Sequence, residues 1–146
     1  MKRTILSSLL FFYPINLAFS QKDRLLLNLN AAGLACSLVN HSHSYHSDDF
    51  RRYLFGFIDQ KFMISTSLFI SYRCLKRSPT LECLFRVGGN ILVVAFIYFY
   101  VLEGYKQNKR ALESYSEKQK YIHMLMHFIG IVGLTRAYKK YYYKIL

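Results

Sequence analysis

The sequence predicts an all-α fold, an integral membrane bundle of about five transmembrane helices forming one domain over residues 1–146, and three observations predict it. Apolar residues make up 53% of the chain, high for a small soluble protein, and they fall in runs separated by short charged stretches. Basic residues outnumber acidic ones by 20 to 8 and cluster at 2–3, 22–24, 51–52, 73–77, 106–120 and 136–144, between the apolar runs, where helix ends meet lipid headgroups. The polar groups inside the runs are mostly Ser, Asn, His and Asp, which membrane helices bury against one another.

A net charge of +12 on a soluble chain would suggest nucleic acid, but bases placed at helix ends point to lipid, so no nucleic-acid partner is expected. Cys36, Cys74 and Cys83 are odd in number, lack CxxC spacing and sit in or beside apolar segments, which is the pattern of packed thiols. With no Trp present, the 13 Tyr must supply any interfacial belt, and the tail Tyr138–Lys144 fits that role.

The first helix is expected at about 4–20, behind Met1-Lys2-Arg3. It reads first as a short membrane anchor and, as the alternative, as a signal peptide leaving at Ala18-Phe19-Ser20, in which case four spans remain. The second, 25–45, carries Asn28, Asn30, Ser37 and Asn40, so it belongs inside the bundle rather than against lipid. A His-rich turn, 42–49, follows, with Asp48 or Asp49 placed to cap the third helix. That helix, 50–73, is apolar except for Arg51, Arg52 and the centre Asp59-Gln60-Lys61; Lys61 lies two positions from Asp59, points elsewhere, and is expected to snorkel. The fourth, 81–102, holds the most lipid-like run, ILVVAFIYFYVL, and Gly88-Gly89 offers a close helix contact. After a charged loop, 103–120, Ser116 and Gln119 have the spacing of a capping box that opens the last helix, 117–138.

The chemistry gathers at Ser37, His41, Asp59, His123 and His127. Residues four apart share a helix face, so His123 and His127 can offer two imidazoles to one ion, and Ser37 lies beside His41. If the second helix ends on one face at His41, the third starts there, the fourth returns and the fifth starts on that same face, so the three sets meet at comparable depth. Asp59 lies about 14 Å into its helix at 1.5 Å per residue. An ionisable group at such depth is by default functional. Three imidazoles plus a water is the open tetrahedral arrangement of a catalytic zinc. Positive residues split about evenly between the two faces, so charge does not fix the orientation or name the membrane.

The stretch Ser37-Leu-Val-Asn-His41-Ser-His-Ser-Tyr-His-Ser through Phe-Ile-Asp59, with His123-Met-Leu-Met-His127, resembles the CREST superfamily of membrane hydrolases and receptors, which includes the alkaline ceramidases and the adiponectin/progestin receptor and haemolysin III group. The resemblance implies Zn2+ bound by His41, His123 and His127, with Asp59 and Ser37 positioning or polarising the water and the substrate carbonyl. The implied reaction is hydrolysis of a membrane-lipid amide or ester, as in a ceramidase, by a multi-pass membrane protein. That family usually has seven helices, and five can be drawn here; Lys61 is a second departure. Two other readings stay open: a shortened, non-catalytic relative whose structural zinc supports binding of a lipid or protein partner, and a local loop cluster of His41, His43 and His46 that handles metal.

Overall fold

The structure, a computed structural model, describes residues 6–43, 49–102 and 116–144. These residues form five helices and, among them, no strand. Helix α1, Leu6–Ser20, tightens to a 3-10 stretch at Leu9–Phe11. Helix α2 is Arg24–His43 and α3 is Asp49–Arg77. Helix α4 begins at Leu81 and ends in a π turn, Ile97–Val101. Helix α5 is Glu117–Ala137, prolonged by a second π turn, Tyr138–Tyr142.

The helix starts follow local chemistry. Ser116 accepts from the Gln119 amide at 3.2 Å while the Gln119 side chain accepts from the Ser116 amide at 2.9 Å, the capping box expected from the spacing. Thr80, not anticipated, caps α4 by accepting from the Cys83 amide at 3.2 Å. Lys22 takes a left-handed conformation, φ 53°, after α1, so that its own amide and that of Asp23 return to Phe19 and Ala18. Asp23 then caps α2, its Oδ1 accepting from the Leu26 amide at 3.0 Å. The proposed cap at Asp48 or Asp49, and the side chains of His43 and His46, lie outside the described residues.

The bundle is divided along its length. At the end bearing the α1–α2 turn, Ala18, Leu26, Ile70, Cys74, Val87, Leu134 and their neighbours form an apolar core, with Cys74 and Cys83 as buried thiols. Above that core Asp23 Oδ2 accepts from Arg73 Nη1 at 2.9 Å, from Tyr138 at 3.0 Å and from Tyr143 at 2.9 Å, while Arg73 donates to Tyr142 and lies over its ring. Burial raises the Asp23 carboxyl, but the Leu26 amide, the two tyrosine hydroxyls and the guanidinium outweigh it and hold the group below its usual 3.8. The tail tyrosines therefore turn into the bundle and tie α5 to the α1–α2 turn, instead of forming the outward belt expected from the sequence. At the other end, beside the apolar Phe11, the buried residues include the polar Ser7, Ser8, Ser37, His41, Asp59 and His127.

The close helix contact expected at Gly88-Gly89 is corrected. Nothing lies within 4 Å of a Cβ built on Gly88 or Gly89; the close contacts are at Gly33, where the Phe11 ring sits, and at Gly133, where Asn90 crosses to donate to the Ile129 carbonyl at 2.7 Å. Lys61 lies exposed, its Nζ 5.2 Å from the centre of the Phe57 ring one turn back. Among the described residues one helix, Leu81–Val101, is long and apolar enough to cross a membrane, and Leu6–Ser20 is apolar but shorter. The charges of α3 and the polar residues of α2 and α5 dilute their apolar stretches, so five spans do not follow from length and composition.

Candidate metal centre

The site forms where the C-terminal end of α2 meets the N-terminal half of α5. His41 occupies the last turn of α2, fully buried, because its helix presents Gly33, Ser37 and His41 along one inward face at intervals of four. His123 and His127 lie one turn apart on α5, their Nε2 atoms 3.0 Å from each other. The His41 ring stands edge-on to both, its centre 5.4 Å from that of His123 and 5.8 Å from that of His127. One ligand atom from each of the three lies within 4.8 Å of the other two. The helices that carry them run in the alternating directions that the chain order requires, so sequence positions 41, 123 and 127 close on one point.

The donor set fits a zinc-type cation. Bonds of 2.0–2.1 Å in a tetrahedron put ligating nitrogens about 3.3 Å apart, close to the His123–His127 separation. His127 directs one ring nitrogen at His123 and keeps the other, Nδ1, buried without a hydrogen-bond partner among the described residues. Among the described residues no Cys, Asp or Glu joins the three.

Asp59 and Ser37 are tied to the His41 end of α2 in different ways. Asp59 is buried on α3 and is held by Asn40, whose Nδ2 donates to Oδ2 at 2.8 Å; Oδ1 has no partner among the described residues. Ser37 is one turn before His41, and its hydroxyl meets that of Ser8 on α1 at 2.9 Å. Sequence reasoning missed both partners. Asn40 stands directly before His41 and was legible only as a polar residue needing burial; Ser8 sits in the apolar run of α1, where a hydroxyl is the one signal it gives.

No family model, curated protein or solved structure matches the chain.

Proposed function

We propose that this chain is a multi-pass membrane protein and a zinc-dependent hydrolase of a lipid amide or ester, of the kind the CREST resemblance implies. The observation that carries the reading is the convergence of His41, His123 and His127, from two helices distant in sequence, with their ligand atoms within 4.8 Å. The membrane part rests on an inverted distribution of polarity: Ser, Asn, Asp and His are buried, while large apolar side chains such as Leu9, Leu25, Leu68, Leu92 and Phe128 stand exposed on all five helices. A soluble monomer rarely exposes so much apolar surface.

A zinc ion held by the three imidazoles would supply Lewis acidity, bringing the pKa of a bound water towards 7 and polarising an acyl carbonyl. Asp59, fixed through Oδ2 by Asn40, keeps Oδ1 to take a proton from the attacking water and return it to the leaving amine or alcohol as the acyl C–N or C–O bond breaks. Ser37, one turn from His41, is the hydroxyl that faces the acyl oxygen. The structural-clamp alternative requires four protein ligands, and the described residues supply three.

The test is metal content in the detergent-purified full chain, loaded with zinc and desalted. About one zinc per chain is expected for the wild type and close to none for His123→Ala or His127→Ala. Folded wild-type protein that retains no metal would falsify the reading. If metal instead follows His43→Ala plus His46→Ala and ignores His123→Ala, the loop-cluster alternative replaces it.

A further inference from the structure

Helix α1 supplies no metal ligand, yet it packs against both helices that do, α2 and α5. Its register against α2 is set at two successive turns. Ser8 faces Ser37, their hydroxyl oxygens 2.9 Å apart and both residues fully buried. The Phe11 ring fills the space beside Gly33, where a Cβ would come within 2.9 Å of its Cε1. The 3-10 stretch at Leu9–Phe11 makes this possible, because residues three apart line up in such a helix, bringing Ser8 and Phe11 onto one edge.

The protons of the two hydroxyls are informative. Ser71 and Thr135, also buried, donate to carbonyls four residues back on their own helices, Ser67 at 2.6 Å and Ile131 at 2.5 Å. Ser8 and Ser37 make no such bond among the described residues; their contact is with each other, and either oxygen can be the donor. Two hydroxyls in contact share one proton between them and leave the second for another acceptor. Accepting a hydrogen bond also makes a hydroxyl a stronger donor.

We propose that Ser8 is a positioning residue of the metal centre: it donates to Ser37, which directs its own proton to the acyl oxygen of a lipid ligand bound beside His41. The proposal rests on the zinc-hydrolase reading and assigns α1 to the working site. Its consequence is that a hydroxyl on α1 tunes ligand affinity without touching the metal.

The experiment uses the detergent-solubilised full chain loaded with Co2+, whose visible absorption reports its ligands, and titrates a long-chain hydroxamic acid as the acyl-oxygen probe. Ser8→Ala should take up cobalt as the wild type does and bind the probe about five- to tenfold more weakly, the loss of one hydrogen bond. Ser37→Ala should match it, the double variant should be no worse than either single, and Ser8→Thr should restore the affinity. If Ser8→Ala does not fold, Ser8→Cys, nearly the same shape but a weaker donor, must show an intermediate affinity. Cobalt uptake with unchanged probe affinity in the Ser8 variants overturns this proposal alone; no cobalt uptake by the wild type overturns the zinc reading and this proposal with it.

Discussion

Asn40 and His41 are neighbours in sequence, and they serve different partners because successive residues on a helix diverge by about 100°. His41 meets the imidazoles of α5, whereas Asn40 reaches across to Asp59 on α3. Asp59 is thus linked to the residue next to His41 and is not one of the three grouped ligands. Asp59→Asn should therefore leave zinc content unchanged while lowering turnover of a lipid amide or ester by about 10²–10⁴, the usual worth of a general base. Loss of zinc in that variant would make Asp59 a ligand instead. Removing the clamp has another signature: Asn40→Ala strips Asp59 of the amide donor on its Oδ2 and should cost about 1–3 kcal/mol, read as a lower unfolding midpoint in detergent.

At the scale of the helix, two glycines on facing helices meet different surroundings. Gly133 lies under Asn90, with a Cβ position only 2.0 Å from Nδ2, and Nδ2 is committed to the Ile129 carbonyl. Gly133→Ala must displace that side chain and should destabilise by about 1–3 kcal/mol. Gly88→Ala, on the facing helix with open space around it, should stabilise by up to about 1 kcal/mol through helix propensity. Parallel thermal melts separate the two, and equal effects would rule out the Asn90–Gly133 contact. In sequence the two sites look alike, and Gly88-Gly89 looks the better contact of the pair. Only the rotation of α4, which turns Asn90 towards α5, distinguishes them. The capping box at Ser116 and Gln119 was legible because it depends on four consecutive residues; helix rotation depends on the neighbours.

For the whole molecule, the end bearing the α1–α2 turn responds to pH. The Asp23 knot joins the α1–α2 turn, α3 and the α5 tail through a carboxyl held below its ordinary value. A depressed carboxyl contributes stability that is complete above the ordinary aspartate range and is lost as pH falls through the lower folded value. The unfolding midpoint of the wild type should exceed that of Asp23→Asn at neutral pH, and the gap should close below about pH 4. A gap that persists in acid would mean that the carboxylate charge is not what matters there. Partition makes a separate check on the exposed apolar faces: the chain should stay with membranes through alkaline carbonate washing and leave them only in detergent. Release by carbonate alone would remove the multi-pass reading.

The sequence by itself determined the helical class, the limits of the five helices to within a few residues, and the residues able to bind a metal, because these depend on apolar runs, on caps and on spacings within one helix. It also made the convergence of positions 41, 123 and 127 a consequence of alternating helix direction. The tertiary structure alone decided which neighbour each polar side chain meets: Asn40 on Asp59, Ser8 on Ser37, the tail tyrosines on Asp23, Asn90 over Gly133. Those pairings depend on the rotation and relative height of helices distant in sequence, which no spacing within a single helix encodes.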